Sequence, residues 1–182
     1  VVDVFKDLDI HRIINFIICL GNEYRDEYLT GVMLSNYKFS NFSVAELAQI
    51  QVFIHELEGP CLEKEPLMLR LRVFAEKNDN ELAKRVKTFI DIFDKIRMSS
   101  MVTDIDDIIE LIYRETGIKA TLEKREGDSN KFDVFKDWLS ESFKLRGSDL
   151  SGIADELEQM KIHIKKADIE VTDANQNKIT TT

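Results

Sequence analysis

Three groupings of residues in this chain of 182 could, by type and spacing, do chemistry. His55-Glu56-Leu57-Glu58-Gly59 begins like the zinc-protease pattern, in which two histidines one helical turn apart clasp the metal. Gly59 stands where the second histidine must be, so His55 reads as an ordinary histidine on a helix surface. Di-iron carboxylate bundles need Glu-x-x-His pairs. Leu8, Val52 and Met160 stand three residues before His11, His55 and His163, which excludes that chemistry as well. Asp104, Asp106 and Asp107 suggest a calcium loop. Counting from Asp104, however, puts Ile108 at a ligand position and Ile109 where glycine must make the turn. Acids in the first turn of a helix, complementing its dipole, account for all three.

A phosphate-cradling loop needs closely spaced glycines followed by Lys and Ser or Thr, and none of the 7 glycines precedes a lysine. Gly147 and Gly152 lie between two expected helices with no strand before them. Cys19 sits in an isoleucine-rich run and reads as core, and Cys61 lacks a basic partner to activate it. Two cysteines without a C-x-x-C pair fit a reducing, cytoplasmic compartment. No catalytic residue, cofactor-binding residue or metal ligand is assigned.

A net charge of −9 and a pI near 4.9 argue against a protein that coats nucleic acid generally, because phosphate neutralisation needs surplus Lys and Arg. Only residues 61–100 carry more bases (9) than acids (7). Lys84, Arg85, Lys87, Lys95 and Arg97 give that stretch a basic helix face. The interleaved Glu81, Asp91 and Asp94 suit a solvated face, with phosphate contact as the alternative.

The elements that must carry these residues are helical. Asp7 or Asp9 caps a first helix through Leu20, stopped by Gly21. Ile10, Ile13, Ile14, Ile17 and Ile18 make it apolar around much of its circumference, so it needs cover on several sides. A short helix spans Arg25 to Leu34, and Ser35 to Phe42 read as a loop. Ser43-Val44-Ala45-Glu46 is a capping box. The helix behind it aligns Val44, Leu47, Ile50, Ile54 and Leu57, and ends at Gly59-Pro60. Pro66 opens a helix to about Lys77. Asp79 caps a longer one striped by Leu82, Val86, Phe89, Ile90, Phe93 and Ile96. Thr103 to Asp106 repeats the capping pattern before Ile105, Ile108, Ile109 and Ile112, with Gly117 as the stop. Residues 118–130 read as a loop or hairpin turning at Gly127-Asp128-Ser129-Asn130. Phe132, Phe135, Leu139 and Phe143, with Trp138 beside them, mark a helix ending at Gly147, and a last helix covers Ser151 to Lys166. Ile169-Glu170-Val171 and Lys178 to Thr182 are too β-branched for helix and too isolated for a sheet. The fold class is all-α: an irregular multi-helix bundle with a short extended C-terminal tail. No apolar run approaches the roughly 18 residues of a membrane span. Asp3, Asp7 and Asp9 give the N-terminus the wrong sign for a secretory signal. With no initiating Met, the chain reads as a piece of a longer protein.

Several stretches resemble the UvrD/Rep/RecB group of superfamily-one DNA helicases, around the accessory 2B region of the C-terminal half. Asp9-Ile10-His11-Arg12-Ile13-Ile14-Asn15-Phe16, followed by Leu20-Gly21-Asn22-Glu23-Tyr24-Arg25-Asp26, resembles that group's helix with its Asn- and Asp-rich ending. Leu34-Ser35 and Phe42-Ser43-Val44-Ala45-Glu46-Leu47 resemble its Leu-Arg-Ser-Pro loop and Ser-x-x-Glu-Leu helix start, with Asn36 where the family often has Pro. Ile109 to Gly117 is similar to the Ile-Tyr-x-x-Thr-Gly helix of the AddA- and RecB-like branch. Asn177 to Thr182 look like the start of the strand that carries the family's Thr-Ile-His-x-x-Lys-Gly-Leu-Glu motif.

The resemblance implies that residues 1–166 are a helical accessory domain, with 1–22 the helix leading in from a motor domain. It also implies that 167–182 are an extended tail, the start of a motor-domain strand. The over-apolar first helix would then pack on the motor. The implied role is to orient duplex or forked DNA and regulate the motor, in DNA repair or recombination, without an active site of its own. ATP and Mg²⁺ would belong to the parent, a hydrolase that is a helicase or helicase–nuclease. The partners would be DNA and the rest of the motor, with no membrane. Residues 39–42 lack the glycines with which family members grip duplex backbone. Lys38, Ser40, Asn41 and Ser43 nevertheless make a polar, amide-rich loop at a helix start, which suits phosphate. With Lys84, Arg85 and Lys87 they are the candidate DNA-binding residues. A helical protein–protein interaction module with no nucleic-acid role is the alternative, suggested by the acidic charge and exposed apolar ends. A small-molecule-binding or enzymatic bundle is the third.

Overall fold

Asp7 accepts hydrogen bonds from the amides of Asp9 (2.9 Å) and Ile10 (3.2 Å) and so caps α1, Leu8–Gly21. The chain is described here from a computed structural model, which covers residues 6–58, 60–125, 129–144 and 149–162. After α1 come α2 (Asp26–Met33), α3 (Val44–Glu58), α4 (Pro60–Glu63), α5 (Leu67–Lys77) and α6 (Glu81–Ser100). Then follow α7 (Ile105–Glu115), α8 (Ile118–Glu123) and α9 (Ser129–Lys144), and a last helix, α10, over residues 150–162. Among the described residues there is no strand, and the fold is all-α. No described helix is long and apolar enough to cross a membrane.

The over-apolar α1 finds its cover within the chain. Ile10, Ile13, Ile14, Phe16, Ile17, Ile18, Cys19 and Leu20 are all buried, on every side of the helix. α2 and α6 pack on it, the loop before α3 sends Phe39 against Phe16 (5.6 Å between ring centres), and α10 crosses its C-terminal end. At that crossing Gly21 has no room for a side chain, because a Cβ there would stand 2.6 Å from the Cβ of Ala154. Arg25 pairs with Glu158 beneath the same helix. The apolar excess of α1 therefore needs no further domain to explain it. Burial drives the Cys19 thiol up to about 12, which makes it inert packing rather than a nucleophile.

The expected stripe of α6 is the spine of the core: Val86, Phe89, Ile90, Phe93 and Ile96 are buried, with Leu82 at its edge. Ile109 and Ile112 of α7 are fully buried against it. Phe132, Phe135 and Leu139 of α9 complete that side, with Trp138 stacked on Phe135.

Several local expectations are corrected. Asn80, not Asp79, caps α6, its side chain accepting from the Ala83 amide at 2.8 Å. Asp104, not Thr103, stands at the start of α7, and Asp106 is drawn off to the hydroxyl of Ser140 on α9. Gly117 does end α7, at φ +77°, but the chain re-enters a helix at once, because Ile118 and Leu122 bury one turn apart. Ser129 and Asn130, expected in a turn, open α9. Val44 and Leu57, expected on the buried stripe of α3, are exposed, and only Ile50 and Ile54 are fully covered. The side chains of Cys61 and Phe143, residues Gly59, Gly127, Asp128 and Gly147, and everything from 163 onward, including His163 and the tail 167–182, lie outside the described residues.

Candidate nucleic-acid interface

The loop of residues 34–43 reads in sequence as polar, yet it is built on aromatic anchors. Tyr37, Phe39 and Phe42 are buried while Asn36, Lys38 and Asn41 stay outside. Phe39 stacks on Phe89 of α6 (5.4 Å), and Phe42 meets the same ring edge-on (5.8 Å). The Tyr37 hydroxyl donates to the buried carboxylate of Asp9, and desolvation followed by that bond pushes its pKa well up. On the other side, Gly117 lies so close that a Cβ there would stand 3.3 Å from the Cβ of Lys38. The loop is thus clamped between α1, α6 and the α7–α8 corner.

This clamp brings the two candidate stretches together. Lys38, Ser40 and Asn41, with Asn36 and Tyr37, surround an open hollow of about 450 Å³ that Arg85 closes from α6. A second hollow of about 180 Å³ adjoins it, between Lys38 and Ser40 on one side and Lys84, Arg85 and Thr88 on the other. Lys87 is exposed on α6 but lines neither hollow, and Ser43 lies one step outside them.

The amides at the C-terminal half of the loop are taken up within the chain. Those of Ser40, Asn41 and Phe42 donate to Tyr37, Ser35 and Met33 carbonyls at 3.1, 2.8 and 2.9 Å. Asn41 reaches this geometry in the left-handed region, at φ +62°. At Ser40 and Asn41 the expected amide cradle is therefore closed, and there the cationic side chains carry the anion affinity. Ser40 turns inward, its hydroxyl donating to the Ser35 carbonyl at 2.7 Å. Ser43 and Glu46 form the expected capping box: the Ser43 amide donates to the Glu46 carboxylate at 2.9 Å, and the Glu46 amide donates to the Ser43 hydroxyl at 3.0 Å. That backbone bond from Ser43, aided by Arg85, holds the Glu46 carboxyl below its ordinary value.

Arg85 binds Glu46, donates to the Asn41 carbonyl at 3.1 Å and lies 4.7 Å from the centre of the Phe42 ring. It fixes the loop to α6 and carries its own counter-charge. Lys84 is exposed, with Glu81 at 3.2 Å. Lys38, exposed at the rim of both hollows, is the surface's principal uncommitted cation among the described residues. Lys95 and Arg97, further along α6, are turned to Glu115 (2.8 Å) and Glu23 (2.9 Å). Sequence reasoning missed Asn36, Tyr37 and Glu46 as parts of this surface. The alternation of Tyr37 and Phe39 with Asn36 and Lys38 is the signal that was available.

Gly21, Gly31 and Gly152 lie in helix and Gly117 joins two helices, so none opens a phosphate-binding loop, and no described cluster of His, Cys, Asp or Glu has the makings of a metal site. No family model matches this chain, and no match is found among curated proteins.

Proposed function

We propose that this chain is the accessory helical region of a UvrD/RecB-like superfamily-one DNA helicase, and that the loop around Lys38 and the start of α6 meet the phosphate backbone of duplex or forked DNA. One observation carries this reading. The stretches that resemble the helicase family — the helix around Asp9, the loop and helix start at residues 34–47, and the helix ending at Thr116-Gly117 — converge on a single loop. Lys38 and Lys84 stand at its outer rim. Catalysis, ATP and Mg²⁺ belong to the parent enzyme's motor. The charge of −9 keeps contact by the isolated chain weak, near the non-specific range of about 10⁻⁴ to 10⁻⁶ M. Fluorescence anisotropy of a labelled forked duplex tests this directly. Binding that weakens with salt supports it, and micromolar binding indifferent to salt contradicts it.

A second reading, a helical protein-interaction module, draws on a different surface. Met98, Met101 and Val102 at the α6–α7 corner are 70%, 73% and 87% exposed. Met101 also lines a groove of about 540 Å³, with Leu20, Ile105, Ile108 and Ile153 beside the polar Arg97, Thr103 and Asp149.

A further inference from the structure

We infer that the backbone-facing surface does not end at Lys38 but continues past Tyr37 to Arg12 and Arg125, so that its partner is a polyanion spanning several phosphates. Asp9 is the internal carboxylate that holds these two arginines when no partner is bound. This extension presupposes the DNA contact proposed above and names the rest of its footprint.

Tyr37 is the joint. It lines the larger hollow with Lys38 and Arg85, and the Arg12 guanidinium lies 5.4 Å from its ring centre. Its hydroxyl reaches Asp9, around which cations gather: Lys131 at 3.2 Å, Arg125 at 3.3 Å and Arg12 at 3.6 Å. Lys131 also binds Asp7 at 2.9 Å. At Asp9 itself, one carboxylate therefore draws in three cationic side chains, a local gathering of positive charge in a chain whose total is −9.

Part of that positive charge sits toward solvent. The Arg125 side chain is 47% exposed and turns one edge of its guanidinium to Asp9. A guanidinium has five donors in a planar fork, so Arg125 can keep Asp9 and still present donors to a phosphate oxygen. A carboxylate only accepts, and Asp9 already receives Tyr37 and Lys131, so it keeps partners when Arg125 swings outward. Contacts run from Arg125 and Arg12 at Asp9, through the Tyr37 ring, to the hollow lined by Lys38 and Arg85 and the adjoining one lined by Lys84. Cations set out in series suit a chain of phosphates better than a single anion.

The test is anisotropy of a labelled forked duplex bound by the full chain, between about 50 and 200 mM salt. Removing one cation that meets a phosphate should flatten the log K against log salt slope by about 0.9. Arg125→Gln is expected to flatten it by that amount, and Arg12→Gln likewise. Asp9→Asn, which keeps an acceptor for Tyr37 but releases the arginines, is expected to tighten binding several-fold. Circular dichroism melts report folding. Should Arg12→Gln or Asp9→Asn unfold the chain, the exposed Arg125→Gln, which leaves Lys131 on Asp9, decides alone. An Arg125→Gln slope equal to wild type, alongside a Lys84→Glu slope that flattens, overturns the extension and leaves the DNA contact standing. A wild-type chain that does not bind at about 50 mM salt overturns both.

Discussion

The two ends of α6 present opposite chemistry from one continuous helix. At the N-terminal end, Lys84 and Arg85 stand beside a loop that is fastened to the core through three aromatic rings. At the C-terminal end, Met98, Met101 and Val102 project from a corner with little around them. The buried middle, Val86 to Ile96, is common to both. The difference teaches where order comes from in this molecule. Polar residues are held in place wherever a neighbouring apolar residue is driven inward, and apolar residues are left outside wherever the helix outruns its partners. The first end is the one proposed to meet phosphate, and the second is the one on which the protein-interaction reading draws.

The largest effect expected is at the shared spine. Phe89 is fully buried and supports both Phe39 and Phe42, so Phe89→Ala should cost roughly 3–5 kcal/mol in denaturant unfolding and loosen the charged end most. Hydrogen exchange that rises equally at both ends of α6 would break the comparison. Next comes Gly117. An alanine there must hold a left-handed backbone at about 1–2 kcal/mol and also press on Lys38. Gly117→Ala should therefore lower the melting temperature and shift exchange of the 35–42 amides, leaving those near Met101 alone.

Smaller still is a pH effect, part of which falls at the charged end, with Glu110, held low by Lys136, contributing elsewhere. Glu46 and Asp9 have carboxyls held below their ordinary values of 4.5 and 3.8. For Glu46 the Ser43 backbone bond leads. For Asp9, burial is the largest single influence and acts upward, but the bonds from Tyr37 and Lys131, with the charges of Lys131 and Arg125, together outweigh it. Groups depressed on folding stabilise the fold above those ordinary values, and the contribution disappears as pH falls through the folded ones. Stability should thus drop below about pH 4.5, and Glu46→Gln should remove part of that drop, under about 1 kcal/mol because the pair faces solvent. An unchanged acid profile in the variant would remove Glu46 from the account. Smallest of all, Met98→Ser with Met101→Ser should leave stability within about 0.5 kcal/mol and DNA binding untouched. A loss of DNA binding there would merge the two ends.

Much of this architecture is legible in residue spacing. The isoleucines of α7 and the aromatic stripe of α6 have one face each, and the period of 3.6 names them. The Ser43–Glu46 capping box is legible because its chemistry is local. What escapes depends on neighbours distant in sequence. The alternation of Tyr37 and Phe39 with polar neighbours hints at two faces, but it does not follow a helical period and cannot show that Phe39 and Phe42 bury against Phe16 and Phe89. The cover over α1 comes in part from α10, more than a hundred residues later. Spacing cannot reveal that, and an uncovered apolar helix reads as one that awaits another domain. At the candidate surface, residue type picks out the lysines and Arg85, but Arg85's commitment to Glu46 and the closure of the Ser40 and Asn41 amides emerge only in three dimensions.

The most direct measurement is anisotropy of a labelled forked duplex with the wild-type chain and with Lys38→Glu/Lys84→Glu, at about 50 and 200 mM salt. The expected result is weak wild-type binding, in the range of about 10⁻⁴ to 10⁻⁶ M, that falls steeply with salt and is lost in the double variant. Binding that survives charge reversal, or none by the wild-type chain at the lower salt, would contradict the claim that this loop and α6 meet a phosphate backbone.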